Sequence, residues 1–244
     1  MLSKNQIKLI KSLAQKKYRQ QLGLFIVEGV KGIQEFLSSD VALHSLYTTE
    51  SIFEVPKDVL FEISEAELRK ISGLKNPNKA LAIFYVPMPR AIDKTALIVA
   101  LDAIRDPGNL GTIIRLCDWY GIKDLICSSN TVDCFNPKVV QATMGSLTRV
   151  NVVYLNLDHF ISDYKDIVFG TYMHGDNIYT TALPDSGIIV LGNEANGISE
   201  SISKTVSRRL TIPQFGTHKK TESLNVATAT AIVLSEFRRQ SIEM

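Results

Sequence analysis

The sequence is poor in cysteine and histidine: its 244 residues hold three of the first and four of the second. Cys117, Cys127 and Cys134 lie ten and seven positions apart, which is neither a disulfide framework nor a CxxC metal pair. No histidine has ligand spacing to a cysteine, which argues against structural zinc, and no metal is expected. With thiols used this sparingly, a reducing cytoplasm is the expected compartment. Long apolar runs are missing too. None approaches the roughly 18 residues of a membrane span. The start, MLSKNQIKLIKSL, is studded with lysine and lacks the continuous apolar stretch of a secretory signal. What remains is a globular composition, with 45% hydrophobic and 21% charged residues. A chain of this length suits one or two domains, with a core that needs no covalent staples.

Charge is more informative locally than globally. The formal net charge is +2, but residues 1–90 carry 13 Lys and Arg against 9 Asp and Glu, while the remainder carries 14 against 16. Lys4, Lys8, Lys11, Lys16, Lys17 and Arg19 all precede the first acid, Glu28. At about 100° per residue, Lys4, Lys8 and Lys11 share one helical face, with Leu2, Ile7, Leu9, Ile10, Leu13 and Ala14 on the opposite arc. Such a helix either binds a polyphosphate or docks its apolar arc on its own domain and solvates the basic one. Lipid is disfavoured, because the apolar arc has no large aromatic anchor.

Apolar runs alternate with helical patterns in two α/β halves. In the first, strands are expected at 24–27, 42–48, 59–63 and 81–86, and helices at 29–37 and 65–71. The extended Val86-Pro-Met-Pro-Arg90 then reads as a linker. In the second, strands are expected at 97–101, 124–128, 150–155, 167–171, 188–191 and 210–212. Helices are expected at 109–120, 137–146 and 223–240, with one starting near Ser199. Continuous apolar strands separated by helices argue for a parallel sheet covered on both faces.

Three segments carry chemistry. In Leu101–Arg115, a strand enters a Pro-Gly-Asn turn and then a helix, whose first N–H groups can hold an anion or a polar edge. Gly111 sits one turn before Arg115 on the same side and leaves room beside it. The alternative is a surface arginine paired with Asp118, worth well under about 1 kcal/mol. A dinucleotide fold is a further reading, but Gly108 and Gly111 do not make GxGxxG. In Ile188–Ser199, a buried strand ends in Gly192-Asn193-Glu194-Ala-Asn-Gly197. Gly192 allows a ligand close to the backbone, and Glu194 lies where open α/β sheets place ligands; Gly197 suits a left-handed turn. In the third segment, Ile212-Pro213 is followed by Ser223-Leu224-Asn225, with Ser223 as candidate N-cap of the last helix.

Together the three segments resemble the SpoU branch of the SPOUT RNA methyltransferases. Asn109, Gly111 and Arg115 match its N-x-G-x-x-x-R motif. Gly192, Asn193, Glu194 and Gly197 match G-N-E-x-x-G, and Ile212, Pro213, Ser223, Leu224 and Asn225 match I-P followed by S-L-N. The first half, with KKYR at 16–19 and FIVEG at 25–29, resembles the ribosomal-protein-like substrate-binding domain often found ahead of that catalytic domain. The resemblance implies an RNA-binding domain at 1–88 and, at 93–244, a methyltransferase domain whose parallel sheet ends in a deep trefoil knot, an exception to the rule against threading. It implies transfer to a ribose 2′-oxygen from S-adenosylmethionine, on ribosomal RNA, by a homodimer. Asn109, Arg115, Glu194, Ser223 and Asn225 would form the catalytic neighbourhood. Gly192, Asn193, Gly197, Ile212, Pro213 and Leu224 would hold the cofactor. Lys4, Lys8, Lys11, Lys16, Lys17 and Arg19 would meet RNA phosphates, with an affinity that falls steeply with salt.

Two departures stand out. The stretch from Ile212 to Leu224 is longer than the family pattern, and its extra residues around Thr217–Lys220 would either reshape the cofactor lid or add a phosphate contact through Lys219 and Lys220. Thr143 and Ser146 replace the serine and alanine of a family segment reading A-S-x-G-A. Transfer RNA as the target, a non-catalytic RNA-binding or ribosome-assembly factor on the same scaffold, and an NAD(P)-binding oxidoreductase are the alternatives.

Overall fold

The computed structural model of the chain describes residues 1–216 and 223–243. In chain order its elements begin with α1 (Lys4–Ser12), α2 (Lys16–Leu22), β1 (Leu24–Glu28), α3 (Val30–Leu37), β2 (Leu43–Thr48), β3 (Leu60–Glu62), α4 (Glu65–Ile71) and β4 (Ala80–Tyr85). They continue with β5 (Leu97–Leu101), α5 (Pro107–Trp119), β6 (Asp124–Ser128), α6 (Pro137–Thr143), β7 (Asn151–Leu155), α7 (Leu157–Ser162), β8 (Val168–Asn177), β9 (Gly187–Leu191), α8 (Glu200–Ser203), β10 (Arg208–Thr211) and α9 (Val226–Glu243). Contacts group these into two compact units, Met1–Met88 with Asp133–Thr148, and Pro89–Val132 with Arg149–Met244. None of the described helices is long and apolar enough to cross a membrane.

The first unit is a mixed sheet in the order β1-β4-β2-β3. β4 pairs antiparallel with β1 and β2, and only β2 and β3 run parallel. Alternation along β1 sends side chains to both faces. On one side Leu24 and Ile26 join Ile10 and Leu13 at the end of α1, Leu68 and Ile71 of α4, and Leu81 and Ile83 of β4. On the other, the Phe25 ring lies 5.4 Å from Phe36 of α3 and 4.7 Å from Phe135. Phe135 helps tie the segment before α6 to this unit. Serine caps start two of its helices: Ser3 and Gln6 on α1, and Ser64 and Glu67 on α4, form reciprocal capping boxes.

The apolar arc of α1 is therefore core, with Ile10 and Leu13 fully buried, while Ala14 is exposed. Lys4, Lys8, Lys11, Lys16 and Lys17 are exposed. Arg19 corrects the expectation of a sixth phosphate ligand. It is 3% exposed, and its Nη2 lies 2.5 Å from Asp133 Oδ2. Its Nη1 donates to the carbonyls of Leu13 and Ala14 at 2.8 and 2.9 Å. Arg19 thus satisfies the carbonyls left open where the chain turns from α1 into α2.

The second unit is a parallel sheet in the order β10-β8-β9-β5-β6-β7. The strands LIVAL of β5 and GIIVL of β9 are buried at every position, as central strands covered on both faces must be. Strand order reverses between β5 and β9, because β5 is followed by β6 on one side while β9 lies on the other. Open α/β sheets bind ligands at such a point, beyond the carboxyl ends of the strands. β8 runs longer than expected and carries an irregularity. Its register with β10 jumps from Gly170 opposite Arg209 to Asp176 opposite Leu210. α9 packs on α5, and Arg238 Nε donates to the Tyr120 carbonyl at 2.8 Å, closing the end of that helix.

The three cysteines are buried and form no disulfide, and burial pushes the Cys117 thiol up, which suits that residue to packing rather than chemistry. Thr143 and Ser146 are buried, and the Thr143 hydroxyl donates to the Val140 carbonyl at 2.7 Å, so both serve packing. Asp133→Ala should lower stability in urea unfolding by about 3 kcal/mol, because it strands a buried guanidinium. Glu65→Ala, which breaks the exposed Arg69–Glu65 pair at 3.3 Å, should cost less than about 0.5 kcal/mol.

Candidate functional site

The site begins where β5 ends. Asp102 is 7% exposed; its N–H donates to the Leu191 carbonyl at 2.9 Å and its Oδ2 accepts the Ser199 N–H at 2.7 Å. Ala103 follows in a left-handed conformation, φ 57°. Its carbonyl accepts Asn193 Nδ2 at 2.7 Å. Two side chains therefore fasten the β9 exit loop to the β5 exit. Neither Asp102 nor Ala103 stood out in the sequence; the signal available was a lone carboxylate closing a fully apolar strand.

The loop itself folds tightly. Asn193 and Gly197 exchange backbone hydrogen bonds at 3.0 and 2.8 Å, and Asn193 Oδ1 accepts the Ala195 N–H at 2.9 Å. Gly197 takes φ 69°, the left-handed turn expected of it. Gly192 also has a role within the loop itself. A Cβ there would stand 2.2 Å from the Gly197 carbonyl carbon and 2.3 Å from the Ile198 nitrogen. The close approach that needs glycine is made by the chain's own backbone. Asn193 is likewise occupied in shaping the loop.

α5 starts at Asp106, whose Oδ1 accepts the Asn109 N–H at 2.7 Å, with Pro107 in its first turn. This holds the Asn109 side chain between the other two segments. Asn109 Nδ2 donates to Glu194 Oε1 at 2.6 Å, and Asn109 Oδ1 accepts Asn225 Nδ2 at 3.0 Å. A carboxylate can only accept, so the direction of both amide bonds follows from Glu194. Asn225, rather than Ser223, caps α9: its Oδ1 accepts the N–H groups of Ala227 and Thr228 at 3.0 and 3.2 Å.

Next to this relay is a cavity of about 610 Å³, bordered by Gly192, Asn193, Glu194 and Gly197, by Ile212 and Pro213, and by Ser223 and Leu224. The irregular part of β8 also borders it through Tyr172, Met173 and His174, and β10 through Arg209. The sequence did not single out these last four. Asn109 and Asn225 reach the cavity through Glu194. Arg115 is exposed on α5 and has no hydrogen bond or ion pair among the described residues. Asp118, its possible partner, is taken by Arg149, whose Nε lies 2.9 Å from Asp118 Oδ2. Thr217–Lys220, with the suggested phosphate contacts of Lys219 and Lys220, lie outside the described residues. No cluster of three or more His, Cys, Asp or Glu side chains suited to a metal occurs among the described residues.

Two family models match the chain. One, described as the SpoU rRNA Methylase family, matches residues 96–235; the other, described as the MRM3-like substrate binding domain, matches residues 4–82. Over 247 residues the chain is 28% identical to the 23S rRNA (guanosine(2553)-2′-O)-methyltransferase RlmP of Bacillus subtilis, with 97% of each chain covered. A solved structure assigned to the TrmH family, from Porphyromonas gingivalis, has a TM-score of 0.91 at 38% identity over 98% of this chain and 99% of that one. An AdoMet-bound rRNA methyltransferase from Sinorhizobium meliloti has a TM-score of 0.86 at 29% identity, covering 98% of this chain and 96% of that one.

Gly192→Ala should destabilise the chain by roughly 1–3 kcal/mol, because backbone cannot yield as a side chain would. Gly216→Ala, where a Cβ meets nothing within 4 Å, should be close to neutral. Thermal unfolding of the two variants checks the contrast.

Proposed function

The chain belongs to the SpoU rRNA Methylase family, and from that membership we propose that it transfers a methyl group from S-adenosylmethionine to a ribose 2′-oxygen of ribosomal RNA. The observation that carries this reading is the relay Asn225–Asn109–Glu194, which joins three segments far apart in the chain at the edge of one cavity.

The cavity suits the cofactor. Its volume of about 610 Å³ falls inside the roughly 300–1,000 Å³ usual for small-molecule sites. Its walls combine apolar side chains with the backbone of Gly192, Asn193, Gly197, Ile212, Pro213 and Leu224, which would hold the adenosyl group. When bound, S-adenosylmethionine supplies a methyl group on a sulfonium, whose departure leaves a neutral thioether and needs no acid.

The difficulty left to the protein is a weakly acidic ribose hydroxyl. An arginine stays protonated, so Arg115 does not serve as a base. Exposed and without a partner among the described residues, it would clamp the target phosphate through its planar fork and stabilise the developing alkoxide. Glu194 spends Oε1 on Asn109, and its other oxygen can accept the ribose hydroxyl's hydrogen bond. Ser223, exposed at the cavity edge, completes the polar border. Much of the rate then comes from positioning.

The first unit would select the RNA through the exposed Lys4, Lys8, Lys11, Lys16 and Lys17. The same reading includes a homodimer, a cytoplasmic location and a knotted carboxy-terminal region. The knot draws support from the second and third segments bordering a single cavity.

Transfer of tritiated methyl from S-adenosylmethionine to ribosomal RNA tests the proposal. The wild-type chain should label one ribose, and Arg115→Lys should lower the single-turnover rate by about 100-fold or more, because lysine lacks the bidentate fork. Labelling confined to bases, or a near-normal rate for the lysine variant, would contradict it.

A further inference from the structure

We propose that Arg209 anchors the carboxylate of the methyl donor's amino-acid tail, held ready for that task by Tyr172 and Ser203. The proposal rests on the reading of the cavity given above and adds a residue that decides which adenosyl compounds it accepts.

Arg209 stands on β10 at the point where the register with β8 jumps from Gly170 to Asp176. Residues 171–175 have no register partner on β10 there, where the Thr211 hydroxyl donates to the Met173 carbonyl at 3.0 Å, and Tyr172 comes to lie against Arg209. The guanidinium carbon is 4.7 Å from the centre of the Tyr172 ring. Arg209 Nη2 donates to Ser203 Oγ at 3.2 Å, and the same oxygen accepts the Tyr172 hydroxyl at 2.8 Å. Three side chains thus brace one another. An arginine on a flexible stem loses rotamer freedom when it binds; one already stacked and hydrogen-bonded loses less.

The brace leaves most of the guanidinium's donors unused. Arg209 has no ion pair among the described residues, whereas its neighbour Arg208 lies 3.8 Å from Asp176. Arg209 and Tyr172 both border the cavity. Among the described residues bordering it, Glu194 is the one acid and Arg209 the one Lys or Arg. A ligand with both cationic groups and a carboxylate matches that pair of charges. Glu194 is committed to Asn109 on one oxygen, which leaves the guanidinium as the partner for the carboxylate.

Calorimetric titration of the full chain with S-adenosylmethionine and with decarboxylated S-adenosylmethionine, which differ by the carboxylate alone, tests this. Wild type should prefer the carboxylated compound by roughly tenfold or more, as for a charge-assisted hydrogen bond. Arg209→Gln should bring the two affinities to within about twofold while keeping that for the decarboxylated compound, which also shows that the variant is folded. Tyr172→Leu should reduce the preference in part, by releasing the brace. A preference unchanged in Arg209→Gln would overturn the proposal. So would an equal loss for both compounds, or a loss of RNA affinity alone, which would assign the arginine to an RNA phosphate. Failure of wild type to bind either compound would instead overturn the reading of the cavity, and this proposal with it.

Discussion

A hydrogen-bonded relay of three side chains, Asn225 to Asn109 to Glu194, is the constraint on which the rest of the second unit depends. Its energy is modest: a typical bond of this kind contributes about 1 kcal/mol net, and somewhat more when one partner is charged. Its geometry is demanding. The three residues leave from the first turn of α5, the loop after β9 and the start of α9, so all three must be placed before the relay can close. The surrounding structure does this with backbone and buried polar groups. Asp106 holds Asn109, Asn225 caps α9 while reaching Asn109, and Asp102 and Asn193 fasten the Glu194 loop to the end of β5. Gly192 lets that loop close on itself.

The chemistry follows from what the relay commits and what it leaves free. Glu194 is fixed through one oxygen, and Arg115 is left without a partner among the described residues, with Asp118 held by Arg149. An arginine without a partner among the described residues, together with an oriented carboxylate, suits a phosphate and a ribose. It suits a dinucleotide less well, since the pyrophosphate of that ligand needs a glycine-rich turn that this chain does not have. In the first unit the division is equally plain. Apolar residues of α1 are spent on the core, five lysines stay exposed, and the sixth basic residue, Arg19, is spent on holding α2 and Asp133.

Much of this was legible in the residues. Strands such as LIVAL and GIIVL announce themselves by composition, and the Asp-Pro-Gly-Asn run announces the start of α5. Asn109, Glu194 and Asn225 could be named as one site only because three motifs occurred in order. Features that depend on a distant partner were not legible. Ser223 and Asn225 are both good caps, and only the position of Asn109 selects the second. Arg19 and Lys17 look alike until Asp133 is placed. Whether Arg115 is paired with Asp118 depends on Arg149, which lies in the turn before β7. The irregularity in β8 carries no marker of its own, so Tyr172, Met173, His174 and Arg209 were invisible as cavity residues. The short α7 was missed because six residues behind an asparagine cap make too weak a pattern.

The most direct test of the relay is a double-mutant cycle on the single-turnover rate of methyl transfer, with Asn109→Ala, Glu194→Gln and the pair. If the two residues act as one unit, the double variant should be about as slow as the slower single variant, as for residues that fail together. If the two losses instead multiply, Asn109 and Glu194 act independently and the relay is not what organises the site.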